Sequence, residues 1–228
     1  MSPTALVTGA SRGIGRAIAR RLAGRYEIVA AARSEAELDA LAAEIAEAGG
    51  RCATLVLDVA DPTAVAEALR DLDVDVLINN AGLGVMKPLL ELAPEEWHAM
   101  VDVNLNALYH VTRAVLPGMV ERGRGHVVII GSIAGRSAFA GGTGYTATKH
   151  AVLGFSESLL LEVRDAGVKV SVVMPGSVAT EFSPGGSGAD WKLSAEDVAE
   201  SVAQLLDTPP GVLVHRVEIR PLKPPRKS

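Results

Sequence analysis

Residues 5–15 read Ala5-Leu6-Val7-Thr8-Gly9-Ala10-Ser11-Arg12-Gly13-Ile14-Gly15 and run directly into Arg16-Ala17-Ile18-Ala19-Arg20-Arg21. A short apolar run gives way to a glycine-rich turn, and the turn to an Ala/Arg-rich helical pattern. Glycine lets the backbone turn tightly and approach a bound group closely. The helix N-terminus that follows offers free N–H groups and the positive end of the peptide dipole. Strand, glycines and helix in that order, at the head of an alternating chain, form a seat for a pyrophosphate. The spacing is G-x-x-x-G-x-G, which differs from the G-x-G-x-x-G dinucleotide fingerprint.

Outward from this turn the same alternation continues. Apolar, β-branched runs at 5–8, 27–32, 52–57, 74–79, 126–131, 168–174 and 212–220 predict strands. Helical patterns lie between them at 13–24, 35–48, 62–71, 95–122, 145–166 and 195–207. Most strand runs are continuously apolar, as burial on both faces of a parallel sheet requires. Ser34-Glu35-Ala36-Glu37 has the S-x-x-E form of a capping box, and Gly49-Gly50 supplies the stop for the helix it opens. The pattern predicts an α/β fold: a Rossmann-type, doubly wound, mostly parallel seven-stranded sheet with helices on both faces. No linker or repeat divides residues 1–228, so one dinucleotide-binding catalytic domain is expected. Residues 183–192, rich in Gly and Ser, read as a mobile loop, and residues 221–228 as a flexible, basic, proline-rich tail.

Composition bounds the partners. A net charge of -5 over 228 residues argues against nucleic-acid and anionic-membrane binding. No apolar stretch approaches the ~20 residues of a bilayer span, and the N-terminus lacks a signal-peptide pattern. Cys52 is the single cysteine and cannot form an internal disulfide, so a structural thiol in a cytoplasmic protein is expected. The five histidines show no metal-ligand spacing, and no metal site is expected.

The second strand ends Ala31-Ala32-Arg33. An NAD site places Asp or Glu there for the ribose 2′-hydroxyl. Here Arg33, with Arg12 of the glycine loop, offers guanidinium groups suited to a 2′-phosphate, which points to NADP(H) rather than NAD(H). Further along, Tyr145-Thr146-Ala147-Thr148-Lys149 sets a phenol and an ammonium on one face of a helix. A phenol has an ordinary pKa of ~10, and a nearby cation lowers it toward useful acid/base range. Ser132, in Gly131-Ser132-Ile133, follows an apolar strand, and Asn104, in Val103-Asn104-Leu105, sits within the long helical pattern at 95–122.

Taken together, these motifs resemble the short-chain dehydrogenase/reductase family, and the resemblance runs from Thr4 to about Arg220. Thr8-Gly9-x-x-x-Gly13-Ile14-Gly15 matches its cofactor motif at every position, with Ser11 and Arg12 inside it. Asp58-Val59 matches its adenine contact, and Asn79-Asn80-Ala81-Gly82 its N-N-A-G. Pro175-Gly176-Ser177-Val178-Ala179-Thr180 matches the segment that lies near the nicotinamide carboxamide. The resemblance implies a catalytic tetrad of Asn104, Ser132, Tyr145 and Lys149. Tyr145 would protonate a carbonyl oxygen, Ser132 would polarise it, Lys149 would bind the nicotinamide ribose, and Asn104 would hold a water in a proton relay.

The implied protein is an NADP(H)-dependent oxidoreductase that interconverts a small-molecule carbonyl and alcohol. Both a 3-oxoacyl thioester and a 3-hydroxy acid stay open as substrates. The rival of another class is a non-catalytic NADP(H)-binding redox sensor. Such sensors commonly lack part of the Tyr/Lys machinery, all of which is present here. The helices carrying Asn104 and Tyr145 are those of the family's dimer contact, so a homodimer or homotetramer is implied. The segment after Thr180 shapes the substrate pocket in the family, and Phe139, Phe182 and Trp191 are the aromatic candidates to line it.

Overall fold

A computed structural model describes residues 2–182 and 190–224. Its strands are β1 (Thr4–Thr8), β2 (Glu27–Ala32), β3 (Cys52–Val56), β4 (Val76–Asn79), β5 (Gly125–Ile130), β6 (Val168–Pro175) and β7 (Arg216–Ile219). They form one sheet in the order β3-β2-β1-β4-β5-β6-β7, and every ladder is parallel. The helices are α1 (Gly13–Leu22), α2 (Glu35–Glu47), α3 (Pro62–Ala68), α4 (Pro94–Val101), α5 (Ala107–Glu121), α6 (Thr143–Val163) and α7 (Ala195–Leu206). Strand order reverses between β1 and β4. The crevice above their carboxyl ends is therefore the topological switch point, where open α/β sheets bind ligands.

The continuously apolar strands follow from a sheet covered twice. Ala5, Val7, Ile28, Ala30, Ile78, Val128 and Val173 pack on α1, α2 and α7. Their strand neighbours Leu6, Ala31, Leu77, Val127, Ile129 and Val172 pack on α3, α5 and α6 from the other side. Successive side chains point to opposite faces, so both sets of central-strand positions are apolar except where a buried polar side chain is hydrogen-bonded, as at Thr8, Asn79, His126 and Ser171. The edge strand β3 has one covered side less, and Ala53, Thr54 and Val56 are exposed there.

Three local expectations need correction. Ser34 is the N-cap of α2 but its side chain makes no capping hydrogen bond. A true reciprocal box forms instead at α7, where Asp197 N–H donates to Ser194 Oγ (3.0 Å) and Ser194 N–H to Asp197 Oδ2 (2.7 Å). The single helix expected over 95–122 is two helices joined by a π-helical turn at Asp102–Asn106. The strand expected over 212–220 is confined to four residues, because only Arg216–Ile219 pair with β6. Residues 183–189 of the expected loop and 225–228 of the expected tail lie outside the described residues. Gly49, with φ +82°, takes the left-handed stop after α2 as expected.

Cys52 is half-buried at the start of β3, and burial holds its thiol above the ordinary range. At the amino end of the sheet, His126 of β5 is buried with Nε2 2.8 Å from Ser171 Oγ, which itself donates to the Val214 carbonyl (2.7 Å). Burial, with a lesser contribution from Lys169, lowers the His126 pKa from 6.5 to about 4. The folded protein thus keeps this imidazole neutral where the unfolded chain would protonate it. Stability is complete above pH 6.5 and is withdrawn as pH falls toward 4, by on the order of 3 kcal/mol at the lower end. Urea denaturation of wild type and His126→Asn at pH 7.5 and 4.5 measures this. The wild-type loss between the two pH values should exceed that of the variant by about 2 kcal/mol or more.

Candidate active site

The glycine loop is shaped by close approaches as well as by turning. Gly9 (φ +64°) and Gly13 (φ +54°) lie in the left-handed region that L side chains avoid. A Cβ on Gly9 would stand 2.9 Å from Ala81 Cα. One on Gly15 would fall within the contact radii of the Gly9 carbonyl oxygen and the Asn80 amide. Gly15 thus lets α1 start immediately beneath the loop. The helix has no acidic residue in its first turn and no side-chain cap from Arg12, so its N–H groups face the crevice unneutralised. This cradle fits an anionic pyrophosphate.

Thr8 and Asn80 tie the two sides of the switch point together. Asn80 Nδ2 donates to the carbonyls of Thr8 (2.9 Å) and Gly9 (3.1 Å). The N–H groups of Asn80 (3.0 Å) and Ala81 (3.1 Å) donate to Thr8 Oγ1, whose own proton goes to the Ile78 carbonyl (3.3 Å). Both side chains expected to touch cofactor are therefore committed to protein partners, and their effect is to hold Gly9 and Ala81 in place. Ile14 turns inward onto the core, and Ser11 offers its carbonyl to Arg16 (3.3 Å). Gly82 is exposed at the crevice near Asn104 and Lys149.

The two arginines expected to read a 2′-phosphate stand differently. Arg33 is exposed just beyond β2, without a hydrogen bond or ion pair among the described residues. Arg12 is paired with Glu181 (3.0 Å) across two well-exposed side chains, a contact worth at most about 1 kcal/mol. Asp58 is exposed and accepts from Ala60 N–H (3.0 Å), while Val59 is buried. Pro175 ends β6, and Gly176 donates to the Ile219 carbonyl (2.8 Å). Val178 bridges Leu193, and Thr180 lies over the glycine loop, its Cγ2 3.5 Å from where a Gly13 Cβ would be.

The four tetrad candidates converge beside this cradle. Ser132 follows β5, with Oγ accepting from Ala134 N–H (3.1 Å), and hydrogen-bonds the Tyr145 side chain. Tyr145 is 7% exposed on α6, packed among Met100, Ala134, Leu83, Val85 and Met86. Lys149, one turn on, is buried and donates to the Ile130 carbonyl (3.1 Å). Its ammonium is 5.8 Å from the Tyr145 ring centroid. The expected lowering of the phenol by this cation is not what dominates here. Burial pushes the Tyr145 phenol above its ordinary value, and the hydrogen bond from Ser132 offsets part of that. Burial also pulls Lys149 down to about 8. The physical reason is desolvation of both groups, with Lys149 aimed at a backbone carbonyl.

Asn104 owes its place to the π-helical turn, whose extra residue rotates it inward to 4% exposure. Its Oδ1 accepts from Leu83 N–H (2.7 Å), and Nδ2 donates to the Leu83 carbonyl (2.8 Å) and Thr148 Oγ1 (3.0 Å). Thr148 Oγ1 donates in turn to the Tyr145 carbonyl (2.9 Å). Both amide hydrogens of Asn104 are thus used within the protein, and Thr148 is a link that the sequence reading missed. The hydroxyl stood in view between Tyr145 and Lys149, but nothing local pointed it at α4–α5. Among the described residues no group of three or more His, Cys, Asp or Glu could hold a metal ion, and no helix is long and apolar enough to cross a membrane.

Comparison with known proteins places this geometry. The family model for short chain dehydrogenase matches residues 3–186. The chain is 39% identical over 236 residues to the NADP-dependent 3-hydroxy acid dehydrogenase of Salmonella typhi, covering 95% of this chain and 94% of that protein. It is 37% identical over 242 residues to sulfoacetaldehyde reductase 2 of Chromohalobacter salexigens, covering 98% and 96%. Among solved structures, the alcohol dehydrogenase of the archaeon Thermococcus sibiricus complexed with 5-hydroxy-NADP superposes with a TM-score of 0.91. There the identity is 34%, over 99% of both chains.

Proposed function

The chain belongs to the short-chain dehydrogenase family, and from that premise we propose that it is an NADP(H)-dependent enzyme interconverting the carbonyl and alcohol of a small acid, 3-hydroxy acids foremost. The observation that carries the chemistry is the convergence of Ser132, Tyr145 and Lys149 beside the glycine cradle, with Tyr145 and Lys149 both buried one helical turn apart on α6 and Lys149 held by the Ile130 carbonyl. The substrate class rests on the likeness to a 3-hydroxy acid dehydrogenase and a sulfoacetaldehyde reductase, which act on small molecules bearing a carboxylate or a sulfonate.

Gly9, Gly13, Gly15 and the α1 N-terminus would hold the pyrophosphate, Arg33 and Arg12 the 2′-phosphate, and Asp58-Val59 the adenine. The segment from Pro175 through Gly176 and Val178 to Thr180, with Ala81, Gly82 and Lys149, would border the nicotinamide ribose. NADPH, when bound, supplies the hydride. In reduction, Tyr145 gives its phenolic proton to the carbonyl oxygen while Ser132 donates a second hydrogen bond to it. Asn104 positions Tyr145 and the Leu83 segment through Thr148 and the Leu83 backbone. The same proposal has the protein acting in the cytoplasm as a homo-oligomer.

Consumption of NADPH or NADH with short 3-oxo and 2-oxo acids, aldehydes and ketones tests this reading. Turnover of a small oxo acid with NADPH is expected, and NADPH binding without turnover of any of them would favour a sensor. Arg33→Ala should raise KM for NADPH by about tenfold or more, the weight of one charge-assisted phosphate contact, and leave NADH unchanged. An equal effect on both cofactors would remove Arg33 from 2′-phosphate recognition.

A further inference from the structure

Tyr145 has an aromatic neighbour whose presence the proton chemistry does not require. The Phe182 ring lies 5.8 Å from the Tyr145 ring, centroid to centroid, at an interplanar angle of 54°. Phe182 is itself 42% exposed, yet the tyrosine it covers is 7% exposed. The ring is seated on the segment after β4. A Cβ on Gly84 would stand 2.7 Å from Phe182 Cζ, 2.9 Å from Cε1 and 3.0 Å from Met86 Cε. Gly84 does not have a positive φ, so its backbone conformation is open to any residue. What the position excludes is volume, and the volume belongs to the Phe182 ring.

A carbonyl that accepts hydrogen bonds from Ser132 and Tyr145 brings two substituents into this space. Phe182, Gly84 and Met86 form one wall beside the phenol. An aromatic ring there subtracts room from the substituent that faces it, and differences of one or two carbons in such a pocket discriminate about 10- to 200-fold. We propose that Phe182, seated against Gly84, is a specificity-determining residue that sets the upper size of the group on the reacting carbonyl and restricts the enzyme to small substrates. The proposal rests on the carbonyl chemistry inferred above. It goes beyond it by naming the residue pair that limits the substrate.

The test uses the full chain and NADPH with ethyl 3-oxobutanoate, ethyl 3-oxohexanoate and ethyl 3-oxo-3-phenylpropanoate, in wild type, Phe182→Ala, Gly84→Ala and the double variant. Phe182→Ala should raise the ratio of kcat/KM for the phenyl substrate over the methyl one by about tenfold or more, chiefly through KM. Gly84→Ala should shift that ratio in the wild-type background and by less than about twofold in the Phe182→Ala background, because its effect passes through the ring. A purely structural role would lower kcat/KM for all three esters alike and leave the ratio unmoved. That outcome overturns the proposal.

A second readout needs no turnover. Nitration of Tyr145 by tetranitromethane, located by peptide mass spectrometry, should accelerate several-fold in Phe182→Ala. An unchanged nitration rate would show that the ring does not bound access to the phenol, and overturns the proposal on its own. Absence of turnover in every protein, with nitration accelerated, would instead count against the carbonyl chemistry while leaving the wall in place.

Discussion

Tyr145→Phe should lower turnover of any accepted carbonyl by about 10²- to 10⁴-fold, the range over which a positioned general acid acts. The substitution removes one oxygen and keeps the ring among Met100, Ala134 and Met86, so the fold and the glycine cradle stay as they are. Ser132 retains the N–H of Ala134 as a partner. The loss should therefore fall on kcat, with the dissociation constant for NADPH, read from its fluorescence, changed by less than about twofold. The protonation state fits the role in reduction. Burial holds the phenol above its ordinary value, so the proton to be donated is present throughout the neutral range. A variant that turns over as wild type does would leave Ser132 or solvent as the donor.

Gly15→Ala is the second large expected effect, and it acts on binding. An added methyl would overlap the Gly9 carbonyl oxygen and the Asn80 amide, both fixed by the Thr8–Asn80 network that joins β1 to β4. Backbone and a clamped amide cannot retreat as the free end of a side chain can. Either α1 shifts away from the loop or the clamp opens, and both displace the N–H groups at the head of α1. Overpacking of this kind costs about 1–3 kcal/mol, which corresponds to roughly 10- to 100-fold in NADPH affinity when it falls on the cradle. Gly24→Ala is the control, since nothing lies within 4 Å of a Cβ there and the position is at the far end of α1. Equal NADPH affinity in the two variants would mean that the loop does not carry the cofactor.

The parts of the molecule that were legible in sequence are those governed by local rules. Strand–helix alternation and continuous apolar runs announce a doubly covered parallel sheet, and the glycines at 9, 13 and 15 mark a turn that must be both tight and closely approached. The spacing of Tyr145 and Lys149 places them on one face of α6 wherever α6 goes. The features that escaped depend on partners far along the chain. The π-helical turn that buries Asn104 is explained by Leu83 and Thr148, and a 3.6-residue period over 95–122 contains no sign of it. Arg12 reads as a free phosphate ligand until Glu181, 169 residues away, is brought beside it. Lys149 reads as a cation for the phenol until the Ile130 carbonyl is found in front of it. Phe182 and Gly84 meet only because the chain after β6 returns over the chain after β4, which no spacing in the sequence records.

On the proposed chemistry, hydride passes between NADPH and a carbonyl carbon while Tyr145 handles the proton. Incubation with NADPH deuterated at C4, each face in turn, and a small 3-oxo acid, followed by mass spectrometry of the product, reads this directly. The expected product is a 3-hydroxy acid carrying one deuterium on the carbinol carbon from one of the two labelled faces, with nearly all labelled product lost in Tyr145→Phe. Product formed without deuterium from either face, or labelled equally fast by Tyr145→Phe, would contradict that chemistry.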